Sequence, residues 1–223
     1  MSRCRGSVDH AGRRRPTLTP PRWRGDFYSE GVIEKRKLPT AKTIFQLRIS
    51  LRETDPEIWR RVLVPATMPL DKLHDVIQAV FDWWDYHLHA FNIGDSRYSV
   101  PHDEWFEDEE GDLDEHGVKL HRLLAQGDRF TYEYDFGDFW VHDIEVESVE
   151  NVEITLRRAV CIDGARARPP EDCGGTSGFE EFKVVMADPR HEEHESMTEW
   201  FGGPFDPEHF SIAVANATIQ RLR

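Results

Sequence analysis

The side chains able to do chemistry fall into three groups: His87 with His89, Asp135 and Asp138 with His142, and Glu171 and Asp172 with Cys173. A His-x-His pair on an extended segment points both imidazoles to one side, and a nearby carboxylate or thiolate would complete a zinc-like sphere. His87, His89 and His142 are therefore the metal-ligand candidates. The chemistry they would carry is that of a metal-dependent hydrolase, with zinc as its cofactor. Each group also has an ordinary structural role. A histidine on an apolar strand face is a hydrogen-bonded core residue, and Asp135 and Asp138 suit turn backbone. Cys173 could be a nucleophile with His142 as base, although no basic neighbour in sequence lowers its pKa.

The familiar catalytic patterns are missing. His191-Glu-Glu-His194 places its histidines three apart rather than four, so it is not the helical zinc-protease motif. Gly175-Thr-Ser-Gly178 lacks the spacing of a nucleophile elbow. Neither a phosphate-cradling glycine loop with Lys-Ser/Thr nor a dinucleotide fingerprint occurs. Residues 101–117 contain nine Asp/Glu and two His around Trp105-Phe106, but no glycine falls where a calcium loop requires one. A solvated acidic loop pinned by Trp105 is the better description.

The elements that must position these groups centre on Arg129–Glu147. Phe130, Tyr132 and Tyr134 alternate with Thr131 and Glu133, and Trp140, His142, Ile144 and Val146 alternate with Asp143, Glu145 and Glu147. Period two on both arms predicts two half-buried strands, with Asp135-Phe-Gly-Asp-Phe139 as the hairpin loop and Gly137 free to take positive φ. His142 falls on the apolar face beside Trp140 and Ile144.

Before the hairpin, Phe45, Leu47, Ile49 and Leu51 alternate with polar residues, and Ile58–Val64 follows the Asp55-Pro56 turn, so two antiparallel strands open the domain. Thr67-Met-Pro69 predicts a helix start with a hydroxyl cap, and Leu70, Leu73, Val76, Ile77, Val80, Phe81 and Trp84 its buried face, with His74 at the edge. His87–Gly94 and Arg97–Val100 read as short strands, Val118–Leu124 as a brief strand or helical turn, and Ala159–Gly164 as a last strand. Pro169–Gly175 is a rigid loop. Helices then run from Gly178 to Ala187, His194 to Phe201, and Asp206 onward.

The 223 residues suit one sizeable domain or a domain plus an appendage, and no apolar run approaches the roughly 18 residues needed to cross a bilayer. The three cysteines are too few and irregular for a disulfide framework, so a cytoplasmic, reducing location is expected. Residues 1–40 carry ten Lys/Arg against four Asp/Glu, which leaves 18 basic and 38 acidic residues, a net −20, for 41–223. That body repels a nucleic-acid backbone, so DNA association would have to use the basic leader. With Arg13-Arg-Arg-Pro16, Pro20-Pro21 and little apolar periodicity, the leader reads as mostly disordered; its Arg-rich, acid-poor start also resembles an organelle transit peptide.

Three strings give the chain a likeness. Tyr132-x-Tyr-Asp-Phe-Gly-Asp-x-Trp-x-His142, Pro169-Pro-Glu-Asp-Cys-Gly-Gly175 with Gly178-Phe179, and Trp200-Phe-Gly-Gly-Pro-Phe-Asp-Pro207, in that order, resemble the plasmid pRiA4b ORF-three-like family over about 180 of the 223 residues. The resemblance implies a single α+β domain over 41–223 and association with mobile elements, without implying an activity. Some members carry a transposon-resolvase label, but this chain lacks the arginine-rich catalytic domain and basic reading helix that such chemistry needs. Family members often have a cysteine just before the Pro-Pro-Glu-Asp string, where this chain has Arg168, so no two-thiol site with Cys161 or Cys173 is implied.

The expected protein is thus α+β: a mixed, mostly antiparallel sheet with a central hairpin, packed by helices, and helical in its C-terminal part. Its expected function is that of a binding or accessory module without a cofactor. A peptide or partner protein would sit in a groove formed by Trp105, Asp135, Phe136, Asp138, Phe139, Trp140, Glu171, Asp172 and Cys173, with exposed aromatics as anchors. The hydrolase and leader-mediated DNA readings are the alternatives; no membrane is involved in any of them.

Overall fold

The computed structural model describes residues 42–101 and 111–222. The chain divides into Met1–Lys37 and Leu38–Arg223, and the described residues all belong to the second unit. The expectations for the leader and for Trp105 lie outside the described residues. No helix among the described residues is long and apolar enough to cross a membrane.

Among the described residues eight strands, β1 (Thr43–Leu51), β2 (Ile58–Pro65), β3 (His89–Ile93), β4 (Ser96–Ser99), β5 (Leu113–Asp114), β6 (Arg129–Tyr134), β7 (Trp140–Asn151) and β8 (Val160–Ala165), form one open sheet. The spatial order is β5-β4-β3-β6-β7-β1-β2-β8, antiparallel throughout except for the β4–β5 pair. Five helices among the described residues accompany it: α1 (Leu70–Phe81), α2 (Leu120–Leu123), α3 (Gly175–Ala187), α4 (His194–Phe201) and α5 (Ile212–Ile219). The fold is α+β with a helical C-terminal part.

Alternation decides which side is dry. Leu47 pairs with Val146, Ile49 with Ile144 and Leu51 with His142, while Phe130 faces Ile144, Tyr132 faces His142 and Tyr134 faces Trp140. Directly opposed residues share a face, so these side chains form one apolar sheet surface, all of them buried. The other surface is polar: Arg61 bridges Glu147 at 2.6 Å and Asp163 at 3.0 Å, and Gln46 donates to Glu147 at 2.8 Å. One dry and one wet face is what an antiparallel sheet with helices on one side requires.

α1 lays Leu70, Leu73, Val76, Ile77, Val80 and Phe81 into that core. It begins at Pro69 without a side-chain cap, so the Thr67 hydroxyl does not play the expected part. It also ends early. Asp82 takes a left-handed conformation (φ 56°), which turns the chain so that Trp83 is buried and Trp84, expected on the helical apolar face, is exposed. The last helix starts at Ile212 rather than Asp206, where Ser211 caps it by accepting from the Val214 amide. From α5, Asn216 accepts from the Cys161 amide and donates to the Cys161 carbonyl, both at 2.8 Å, on the outer edge of β8.

Candidate functional site at the turn end of the central hairpin

The β6–β7 connection is the expected five residues, but its backbone works differently. Positive φ falls on Asp135 (56°) and Phe139 (59°), not on Gly137. Asp135 tolerates that region because its Oδ1 accepts the amides of Gly137 at 2.9 Å and Asp138 at 3.3 Å, an Asx-type turn. Gly137 serves closeness instead: a Cβ there would lie 3.2 Å from that same oxygen.

The pairing of β3 with β6 brings His87 to this turn. His89 pairs with Tyr134, so two residues earlier the chain lies past the strand end beside Asp135, whose amide donates to Leu88 O at 2.9 Å. The 169–175 loop reaches the same place. Trp83 is buried on the aromatic core, with ring centroids 5.0 Å from Tyr134 and 5.2 Å from His142, and donates its indole N–H to Pro169 O at 3.1 Å. Glu171 is thereby drawn inside, where Oε1 accepts from the Trp84 amide at 2.8 Å and the Tyr134 hydroxyl at 3.2 Å. Burial and then the Glu171 charge push the Tyr134 phenol above its ordinary pKa, so it remains a donor.

At the meeting point stands His87 Nε2. Asp172 Oδ1 is 3.1 Å away, Asp135 Oδ2 3.6 Å and Glu171 Oε2 3.8 Å. The nitrogen is buried and has no hydrogen-bond partner among the described residues. Two of the three rare strings noted in the sequence thus converge here, the hairpin supplying Asp135 and the loop supplying Glu171 and Asp172.

A second cluster lies across an adjoining cavity of about 450 Å³. His74 and His89 stack with centroids 3.6 Å apart and planes 9° from parallel. His74 Nε2 is 2.9 Å from Asp85, and His89 Nε2 is 3.0 Å from the buried Glu115. Tyr132 OH takes a hydrogen bond from Gln78 at 3.1 Å and lies 2.8 Å from His74 Nδ1, which makes it donor to that nitrogen and places the imidazole proton toward Asp85. Sequence reasoning missed this cluster, having placed His74 at a helix edge and left Glu115 in a solvated loop.

The sequence-derived sets are therefore redistributed. The three histidines do not converge. His89 and His142 sit on β3 and β7 with β6 between them, about 10 Å across two strand spacings, and His87 lies beyond the strand end. His142 is fully enclosed by Phe81, Trp83 and Tyr132, and burial holds its pKa down to about 3. Trp140 does not face a groove. Its parity puts it on the dry side, 6.2 Å from Trp83. Asp135 and Glu171 are buried rather than displayed, whereas Phe136, Phe139 and Asp172 are exposed. Cys173 is half-buried and its thiol is pushed up to about 12 by burial first and Asp138 second, so it is not the activated nucleophile considered above.

Sheet order, helices and motif positions define an α+β protein of a recognisable kind. A model of the plasmid pRiA4b ORF-3-like protein family matches residues 43–214, and the chain belongs to that family. It is similar to the uncharacterized protein y4hQ of Sinorhizobium fredii (strain NBRC 101917 / NGR234), 35% identical over 185 residues, which cover 81% of this chain and 92% of that protein. It is also similar to the crystal structure of the protein of unknown function MM3350 from Methanosarcina mazei Go1. There the TM-score is 0.71 at 34% identity, over 78% of this chain and 97% of that one.

Proposed function

We propose that the protein is a binding module that takes a basic, apolar-containing peptide segment of a partner at the turn end of the central hairpin. One observation carries this: Trp84 (62% exposed) and Tyr86 (71%) lie with ring centroids 5.7 Å apart where the Trp84 amide meets Glu171, and Phe136 (43%) and Phe139 (57%) stand exposed in the hairpin loop that carries Asp135 and Asp138. Large aromatics left in water beside one another are the anchors that interfaces use, since each can bury substantial area at small entropic cost. Asp138 and Asp172 at the rim, on a body with net charge −20, select against acidic partners and steer basic ones. Cys161 and Cys173 are both free, which supports a cytoplasmic setting.

The test is fluorescence polarisation with a labelled peptide of alternating Lys and Leu, against a Glu-Leu peptide of equal length. Preference for the basic peptide, weakened at least tenfold by Trp84→Ala combined with Tyr86→Ala and unchanged by Ile154→Ala, is expected. Equal affinity for both peptides, or binding indifferent to the aromatic substitutions, would overturn the reading.

A further inference from the structure

We propose that His87, Asp135 and Asp172, whose donor atoms all lie within 4.8 Å of one another, form a site for a first-row divalent cation, Zn²⁺ or Mn²⁺, with the buried Glu171 carboxylate beside it. The site goes beyond the peptide-binding surface and does not depend on it.

Spacing is the first ground. A hydrogen-bonded imidazole has one acceptor in line at about 2.8–3.0 Å. Here Nε2 instead divides its surroundings among three carboxylate oxygens at 3.1, 3.6 and 3.8 Å and bonds to none of them. Donors held about 2.1 Å from a common ion lie about 3.0 Å apart at adjacent octahedral corners and about 3.4 Å apart in a tetrahedron. The separations from Nε2 to Asp172 and Asp135, 3.1 and 3.6 Å, fall around those values.

Charge is the second. Asp135 and Glu171 are buried, and among the described residues the three carboxylates have His87 as their sole ion-pair partner. Even a protonated imidazole would leave two negative charges in excess among these four groups, with the Arg168 guanidinium acting on Glu171 only from beyond ion-pair distance, which is costly in a partly desolvated pocket. A dication with neutral His87 leaves one, and that residual charge still favours a basic peptide at the rim.

Support behind the donors is the third. Asp135 Oδ1 is held by the Gly137 and Asp138 amides, and Glu171 Oε1 by the Trp84 amide and the Tyr134 hydroxyl. Asp135 is therefore anchored through one oxygen and presents the other toward Nε2, as a ligand oriented by outer hydrogen bonds does, while Glu171 is held through both oxygens, Oε2 also lying 3.3 Å from the Tyr134 hydroxyl. The donor set selects the ion: an imidazole with carboxylates fits Zn²⁺ or Mn²⁺ rather than Ca²⁺, whose ligands are oxygens.

The other histidine cluster does not compete. The donor atoms of His74, Asp85 and His89 also lie within 4.8 Å of one another, but the two rings stack nearly parallel, so their in-plane lone pairs run side by side, and each Nε2 is already at hydrogen-bond distance from a carboxylate, at 2.9 and 3.0 Å.

The experiment is equilibrium dialysis of the full chain, stripped with EDTA, against Zn²⁺ and separately Mn²⁺, with bound metal counted and melting followed by circular dichroism. One ion per chain is expected, with a higher Tm, and at least tenfold weaker binding in His87→Ala and Asp135→Asn. His89→Gln and His116→Ala should retain wild-type affinity. Asp172→Asn guards against folding failure, because that side chain is 68% exposed and its loss should weaken the ion without lowering the Tm of the stripped protein. Absence of stoichiometric metal on folded wild-type chain, or binding that survives His87→Ala and falls with His89→Gln, would overturn the proposal. Titrating the basic peptide in EDTA separates the two ideas, since the rim should bind it whatever the ion does.

Discussion

Asp138 Oδ2 accepts a hydrogen bond from the Gly174 amide at 3.0 Å, and this contact fastens the hairpin turn to the loop that carries Glu171 and Asp172. Immediately beyond, Gly175 (φ 68°) comes so close to the hairpin that a Cβ on it would lie 2.6 Å from Asp138 O. Asp138→Ala should cost about 1 kcal/mol in urea unfolding. Gly175→Ala should cost about 2 kcal/mol or more, because backbone conformation and contact both resist the methyl group. Both substitutions should speed amide exchange across 171–175 more than in β1; uniform exchange would show that the two segments are not joined through this contact.

His142 makes stability depend on pH. Its folded pKa, lowered to about 3 by burial, lies below the unfolded value near 6.5. Above that unfolded value the imidazole is neutral in both states and costs nothing. Between about 6.5 and 3 only the unfolded chain binds the proton, so stability falls by about 1.4 kcal/mol for each unit of acidification. Replacing it by Phe, which fits the aromatic enclosure and cannot titrate, should flatten the urea-midpoint profile across that window. An unchanged slope would assign the acid sensitivity to other groups.

Arg60 is buried and has no carboxylate in ion-pair contact among the described residues. Its guanidinium donates to the carbonyls of Trp59, Val80, Ala165 and Arg166, at 2.8–2.9 Å, and lies 3.9 Å from the Phe210 ring centroid. Lysine cannot reproduce that fork, so Arg60→Lys should destabilise by about 3 kcal/mol through the carbonyls left unpaired. A loss below about 1 kcal/mol would mean that water reaches those groups.

Trp84 should separate stability from binding. Trp84→Ala is expected to shift the unfolding free energy by no more than about 0.5 kcal/mol while weakening the basic peptide severalfold. A large stability loss would instead make this side chain part of the core.

Much of the frame was legible because alternation is local. Phe130 to Val146 declares its dry face residue by residue, and the Leu70 to Phe81 spacing declares a helix. The site was legible only in pieces. Nothing near His87 reveals that β3 will pair with β6 and deliver it to Asp135, since that register depends on long-range packing. Glu171 sits in a stretch without periodicity, where burial leaves no pattern, and its enclosure follows from the Trp83 indole holding Pro169. Asp82 and Asp135 in left-handed backbone escaped notice because glycine is the residue one looks for there. The convergence of two family strings had a visible signal, their rarity, but not a visible geometry.

Asn216 has a consequence for how chains behave in crowded solution. By occupying the amide and carbonyl of Cys161 with its side-chain amide, it imitates the hydrogen bonds of a ninth strand at the rim of β8. A stray β-segment from another molecule arriving at Cys161 meets groups already taken, so α5 shields this stretch of the edge strand without a wall of charge.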